Sequence, residues 1–168
     1  PASIFTLWSE SERNAIGVYT VEIDNTNRKD PHWYFNTGLT YTFSGGKVKG
    51  TYGTATAKDI ADTKWTQSEI DAGEAPAGAD TNTIKIEGLK TIKKKEIDNQ
   101  CANLLAPSDY MAIKAAEGIS MDSGWKTWRA SVRTKCNSMQ TQIDNAANVD
   151  ALAALYAYDE KDERPLGE

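Results

Sequence analysis

The stretch WKTWRASVRTKCNSMQTQI, residues 125–143, is the clearest structural signal in the chain. Its apolar side chains recur every three or four residues, which is the period of an α-helix that buries one face. They are Trp125, Trp128, Val132, Cys136, Met139 and Ile143. Because such a helix is not stable alone, we expect a helix of about five turns that packs on other helices. We interpret the stripe as core, and a partner-binding face is the alternative.

Two helices are predicted before this stretch and a short one after it. Apolar residues over 89–105 follow a helical pattern, and Pro107 ends that helix because the residue before a proline disfavours helix. Ser108 is the expected N-cap of the second helix, which Gly118 ends. Asn148 is the expected N-cap of a short terminal helix. This part of the chain is therefore predicted to be a helical hairpin or bundle.

The two cysteines fall on the first and third of these helices. If the two helices pack antiparallel, their seam brings Cys101 near Cys136. In a reducing cytoplasm the simplest interpretation of both is small buried hydrophobic residues. A redox pair is the alternative, but it lacks a CxxC motif or a local activating group. With one histidine in the chain, the usual Cys/His zinc sites are excluded.

The N-terminal part has the pattern of a small β domain. Ser9 and Glu12 have the spacing of a capping box, which predicts a short helix. Apolar and polar residues then alternate over 18–23, as in a half-buried strand. The Gly45-Gly46 pair between two alternating segments predicts a β-hairpin. We expect a small antiparallel β meander with a short helix.

The predicted fold class is α+β, with the β meander followed by the helical part. The β-rich N-terminal domain is assigned to residues 1–71. Residues 72–83 are small, polar and rich in glycine and proline, so they are assigned to a linker. The helical C-terminal module is assigned to residues 84–168.

Composition narrows the class of protein. The net charge is −5 and the basic residues are scattered, apart from Lys93-Lys94-Lys95, which we interpret as a solvated helix face. Nucleic-acid binding is therefore not expected. No apolar run is long enough for a membrane span, and the start Pro1-Ala2-Ser3-Ile4 has no signal-peptide pattern. We expect a protein made in a cytoplasm and not inserted in a membrane.

Sequence motifs for catalysis are missing. The chain has no phosphate-binding loop, no dinucleotide fingerprint, no G-x-S-x-G and no H-E-x-x-H. The single histidine, His32, lies among aromatic residues and is interpreted as a packing or surface residue. We therefore predict no catalytic, cofactor-binding or metal-binding residue and expect the chain not to be an enzyme. Five tryptophans and seven tyrosines instead favour contact surfaces.

A family resemblance lies mainly in the helical part. The series Leu104-Leu105-Ala106-Pro107-Ser108-Asp109-Tyr110, then Trp128-Arg129-Ala130-Ser131-Val132-Arg133, resembles a C-terminal module of phage tail fibre and tail fibre assembly proteins. That module has two leucines, Thr-Asp-Trp, a short helix and Tyr-Arg-x-x-Leu-Arg. The opening residues 8–18 also resemble such proteins. Ser108, Tyr110 and Trp128 depart from the pattern, and each keeps a hydroxyl cap or an aromatic side chain with a polar tip.

The resemblance implies a non-catalytic structural or adaptor protein associated with a phage tail fibre or baseplate. The expected location is the virion tail, with the host cytoplasm during assembly, and the expected partners are other tail proteins within an oligomeric assembly. A tail fibre assembly chaperone and a receptor- or glycan-binding module that uses Trp33, Tyr34, Tyr41 and Tyr52 are the alternatives. The predicted partner-binding residues are Trp33, Tyr34, Tyr41, Tyr110, Trp125, Trp128, Arg129 and Arg133.

Overall fold

The computed structural model describes residues 6–166, and the chain divides into one unit up to Ala57 and a second from Lys58 onward. The fold class is α+β, as predicted. The strands are β1 Val21–Asp24, β2 Tyr34–Phe35, β3 Leu39–Ser44, β4 Lys47–Tyr52, β5 Thr56–Ala57, β6 Thr63–Lys64 and β7 Ile84–Ile86. The helices are α1 Glu10–Ala15, α2 Gln67–Asp71, α3 Leu89–Leu105, the 3-10 turn Ala106–Ser108, α4 Asp109–Ala116, α5 Ser123–Asn145 and α6 Val149–Ala154. The segment Pro1-Ala2-Ser3-Ile4, in which the sequence shows no signal-peptide pattern, lies outside the described residues.

The first unit is built around a three-stranded sheet in the order β1-β4-β3. The predicted hairpin is confirmed: β3 and β4 are antiparallel, and Gly45 and Gly46 have φ angles of 59° and 77°. A residue with a side chain is strained at such angles, which is why glycine occupies both positions. The sheet is mixed, because β1 lies parallel to β4. A parallel pair needs a crossover connection, and residues 25–46 between the two strands supply it.

The predicted capping box of α1 is confirmed. The Ser9 Oγ accepts from the Glu12 amide at 3.3 Å, and the Glu12 carboxylate accepts from the Ser9 amide at 2.8 Å. Gly17 follows the helix with a φ of 80°. Both ends of this short helix are therefore set by local residues, which is why the sequence pattern was sufficient to find it.

The division of the chain differs from the predicted boundaries of 1–71, 72–83 and 84–168. Residues 58–71 belong to the second unit, because β6 pairs with β7 across the predicted linker. The carboxylate of Asp62 also accepts from the Gly88 amide at 2.8 Å and from the Thr91 hydroxyl at 2.9 Å. The segment 72–83 is thus a connection inside one unit.

The second unit is organised by the predicted antiparallel pair of long helices, α3 and α5. Lys90 Nζ donates to the Asp144 carbonyl at 2.8 Å near one end, and Arg129 Nη1 donates to the Leu105 carbonyl at 3.0 Å near the other. The buried hydrophobic residues of this unit are Leu89, Ile97, Cys136, Met139, Ile143, Ala146, Val149, Leu152 and Leu166. Asn148 caps α6 as predicted, by accepting from the Ala151 amide at 2.8 Å.

Three details of the second unit correct the sequence interpretation. Cys101 and Cys136 are not separate buried thiols but form a disulfide between α3 and α5. Ser108 occupies the N-cap position of α4 without accepting a capping hydrogen bond, because its hydroxyl donates to the Leu105 carbonyl instead. The charged tail, which gave no core signal, buries Leu166 to 2% exposure, and the Leu166 amide donates to the Leu155 carbonyl at 3.1 Å.

Candidate functional site

The side chain of Arg129 fastens α5 to the turn between α3 and α4. Arg129 is 6% exposed, and its Nη1 donates to the Leu105 carbonyl at 3.0 Å and also to the Ser108 hydroxyl. Its Nη2 donates to the Asp109 carboxylate at 2.7 Å. A planar guanidinium can serve three acceptors from one position, which the single ammonium of lysine does less well. We call Leu105, Ser108, Asp109 and Arg129 the arginine corner.

The arginine corner satisfies polar groups that the chain geometry would otherwise leave open. The carbonyl of Leu105, at the end of α3, accepts from both the Ser108 hydroxyl and the Arg129 guanidinium. Ser108 is 1% exposed, and a buried hydroxyl is costly unless it is hydrogen-bonded. Arg129 was a predicted partner-binding residue, but its guanidinium is buried and binds the Asp109 carboxylate of the same chain. Arg133, one turn further along α5, is exposed as a partner-binding residue requires.

Beside the arginine corner, Trp125 and Trp128 lie on the surface. They are 41% and 37% exposed, and their rings meet edge to face with centroids 5.5 Å apart. They line a groove of about 520 Å³ together with Leu104, Pro107 and Asp122. We call these five residues the tryptophan groove. The carboxylate of Asp122 caps α5 by accepting from the Gly124 amide at 2.8 Å, so the first turn of the helix that carries both rings is fixed.

A second, smaller groove of about 260 Å³ lies on the other side of Trp125. It is lined by Met111, Lys114, Ile119, Ser120, Met121, Asp122 and Trp125. Tyr110 is 51% exposed nearby on α4, and the ammonium of Lys114 lies 5.5 Å from the centre of its ring. Trp125 therefore stands between two concave surfaces, as an aromatic side chain at a contact surface commonly does.

The aromatic residues predicted in the first unit divide between core and surface. Trp33 is 8% exposed, so the prediction that it contacts a partner was wrong, since a buried ring has no free surface. Tyr34 is half-buried, with the Lys29 ammonium 5.8 Å from its ring centre, and Tyr52 is also half-buried. Tyr41 is 58% exposed on β3. Of the residues named for glycan binding, Tyr41 is thus the one with an open ring.

The single histidine lies at the surface of the first unit. His32 has a side chain that is 80% exposed, and its Nδ1 lies 2.9 Å from the Asp30 carboxylate. Within residues 6–166, no group of three or more His, Cys, Asp or Glu side chains could hold a metal ion. In the same residues, no helix is long and apolar enough to cross a membrane.

The groups that the sequence analysis missed are joined across long distances in the chain. Arg129 donates to Leu105 and Ser108, which lie more than 20 positions earlier in the chain. Nothing in the local sequence pattern distinguishes Arg129 from Arg133. The helical period of the sequence placed Trp125 and Trp128 on one apolar stripe, but it did not show that this end of the stripe is exposed.

No family model, curated protein or solved structure matches the chain.

Proposed function

We propose that this protein is a non-catalytic structural or adaptor component of a bacteriophage tail, associated with the tail fibre or baseplate. The observation that carries the proposal is the arginine corner. Leu105, Ser108, Asp109 and Arg129 all belong to the series that resembles the tail fibre module, and they form one hydrogen-bonded cluster. That these four residues of the resembling series lie together in the structure supports the proposal.

The same unit supports a binding role and not a chemical one. The polar side chains of the arginine corner hold the turn between the helices. Two aromatic side chains of the same resembling series, Tyr110 and Trp128, remain exposed. Exposed aromatic residues beside a rigid support are typical of protein-protein contact sites. In this proposal the tryptophan groove contacts a neighbouring tail protein, and the arginine corner keeps the groove in shape.

Quantitative mass spectrometry of purified, gradient-banded phage particles tests the proposal. We expect the chain at a fixed integer copy number in each particle. Abundance in infected cells together with absence from particles would overturn the proposal in favour of a tail fibre assembly chaperone.

The tryptophan groove is tested separately by variants. Particles assembled with Trp125→Ala/Trp128→Ala should contain little of the chain, because aromatic anchors carry a large share of interface energy. Thr127→Ala, an exposed residue on the same turn of α5, is the matched control and should be incorporated normally. Equal incorporation of the double variant and the control would exclude the groove as the contact.

A further inference from the structure

One face of the three-stranded sheet is entirely apolar. Residues that pair across neighbouring strands project to the same side of a sheet, and the register therefore assigns each side chain to a face. We call one side the apolar sheet face. It comprises Val21 and Ile23 of β1, Val48, Gly50 and Tyr52 of β4, and Leu39, Tyr41 and Phe43 of β3.

The side chains of this face lean together over its centre. A Cβ atom on Gly50 would lie 3.0 Å from both Ile23 Cδ1 and Tyr41 Cε1, so these two side chains close over the glycine. At one end, the rings of Tyr19 and Phe43 have centroids 4.7 Å apart. The result is a continuous apolar surface with aliphatic residues along β1 and aromatic residues along β3.

The opposite side of the sheet carries all the charged side chains of the three strands. There Lys47 lies 2.5 Å from Glu22, and Lys49 lies 2.9 Å from Asp24. The hydrogen bond from Lys47 lowers the pKa of the Glu22 carboxyl, as expected for a pair that stays charged. The charges on this polar side pair with each other, and the side can face water. The apolar sheet face carries no charged group.

The apolar sheet face is nevertheless open. Phe43 is 60% exposed and Tyr41 is 58% exposed, and Val21 and Ile23 are each 43% exposed. Among the described residues up to Ala57, Trp33 is the only hydrophobic side chain that is buried, at 8% exposure. A sheet is stable when its apolar face packs against a second layer, so this sheet requires one.

We propose that the second layer is the same face of another copy of the chain, so that two sheets pack face to face. The occupant has to be uncharged, since an ionised group placed on this face would lose its water without gaining a partner. A two-fold axis midway between the two sheets and parallel to β4 would set Tyr41 and Phe43 of one copy over the β1 side chains of the other. Such a surface is self-complementary, as an interface between two identical copies requires.

The area of the apolar sheet face sets the expected affinity of the dimer. Three strands spaced about 4.8 Å apart and about 20 Å long present roughly 300 Å² on each copy. Stable complexes bury about 800 Å² per partner, so this contact alone should give a weak, concentration-dependent dimer. The proposal rests on the first unit and holds whether or not the protein belongs to a phage tail.

Sedimentation velocity of the full chain, from about 5 µM to about 500 µM, tests the proposal because a contact of this size dissociates within that range. The wild type should shift from monomer to dimer. Tyr41→Lys places a charge on the apolar sheet face and should abolish the shift. Thr40→Lys, the neighbouring residue on the opposite side of β3, is the matched control and should dimerise like the wild type. Circular dichroism verifies that each variant is folded, and Phe43→Lys replaces Tyr41→Lys if the latter is not.

Either of two results would overturn the proposal: a wild type that stays monomeric at every concentration, or variants of both sides that dimerise equally. The geometry has its own test. A photo-crosslinking residue at position 43 should form a dimer whose linked peptide contains β1 of the second copy. Crosslinks confined to the same chain, or to the edge strand of the second copy, would contradict face-to-face packing.

Discussion

Cys101 and Cys136 form a disulfide that joins α3 to α5, with their Cα atoms 6.5 Å apart. The bond lies between two polar contacts of the same helix pair, that of Gln140 with Asp98 and that of Arg129 with Leu105. It closes a loop that contains the 3-10 turn, α4 and the arginine corner. The residues of the tail fibre resemblance that form this corner are therefore enclosed by one covalent crosslink, which limits how far the two helices can separate.

Loss of this crosslink should lower the stability of the second unit. The cysteines are 35 positions apart, and closing a loop of that length in the unfolded chain is worth about 3–4 kcal/mol. We expect Cys101→Ala/Cys136→Ala to reduce the free energy of unfolding in urea by about that amount. The measurement is the denaturation midpoint and slope followed by circular dichroism.

A reductant provides the matched control for this prediction. Both cysteines line a cavity of about 390 Å³, which a small thiol can enter. Dithiothreitol should therefore bring the wild type close to the double variant and leave the double variant unchanged. A wild type whose unfolding free energy is the same with and without dithiothreitol would show that the disulfide does not contribute.

Substitutions of Arg129 and of Arg133 should change the free energy of unfolding by very different amounts, although the two residues lie one turn apart on α5. Arg129→Ala removes one of the two side-chain donors to the Leu105 carbonyl and the donor to the buried Ser108 hydroxyl, at a cost of about 1–3 kcal/mol. Arg129→Lys should recover only part of the loss, since one ammonium replaces the planar guanidinium. Arg133→Ala, at an exposed position, should change the unfolding free energy by less than about 0.5 kcal/mol. Similar losses for the two alanine variants would refute the arginine corner.

The apolar stripe of α5 should separate into a core half and a surface half. Ile143 is fully buried, so Ile143→Ala should cost about 2–5 kcal/mol through the cavity it leaves. Trp125 is 41% exposed, and Trp125→Ala should cost clearly less despite the larger side chain removed. Urea denaturation of the two variants gives both values. If Trp125→Ala is the more destabilising, the tryptophan groove is part of the core and unavailable to a partner.

Sequence reasoning succeeded where neighbouring residues decide the structure. The capping box of Ser9 and Glu12, the glycines of the β3–β4 hairpin and the cap at Asn148 each act over two or three residues. The period of the α5 stripe likewise places Cys136 on the buried side of its helix. The antiparallel pairing of α3 with α5 followed from two apolar stripes that need each other, and it brought the cysteines together as expected.

The sequence did not predict the other contacts between residues that are distant in the chain. The guanidinium of Arg129 is buried by residues 20 or more positions earlier, so its pattern matched that of the exposed Arg133. The crossover that places β1 parallel to β4 left no trace in the alternation of either strand, because alternation sets the faces of a strand and not its neighbour. The buried Leu166 was missed since one apolar residue in a charged tail has no period.

The start of α3 shows the same long-range dependence and allows a test with pH. Gly88, its N-cap, has no side chain, and the carboxylate of Asp62 accepts from the Gly88 amide and from the Thr91 hydroxyl in the first turn. The carbonyls of Asp59 and Ile60 accept from the next two amides at 2.9 and 3.1 Å. The hydrogen bonds from Gly88 and Thr91 lower the pKa of the Asp62 carboxyl. A substitution at Asp62 should therefore loosen the first turn of α3.

Asp62→Ala should lower the unfolding free energy by about 1–3 kcal/mol at pH 7, the usual loss for hydrogen bonds to a charged group. Because the folded pKa lies below the unfolded value of about 3.9, the carboxylate stabilises the fold above that pH and stops doing so as the pH falls through the folded pKa. The difference between wild type and Asp62→Ala should thus be constant from about pH 7 to about pH 5 and shrink below about pH 4. Asp62→Asn keeps an acceptor that does not titrate, so its stability relative to Asp62→Ala should not vary with pH. Urea denaturation of the three proteins across this range decides the matter: a wild-type advantage that is as large at pH 3 as at pH 7 would show that the ionised Asp62 carboxylate does not stabilise the start of α3.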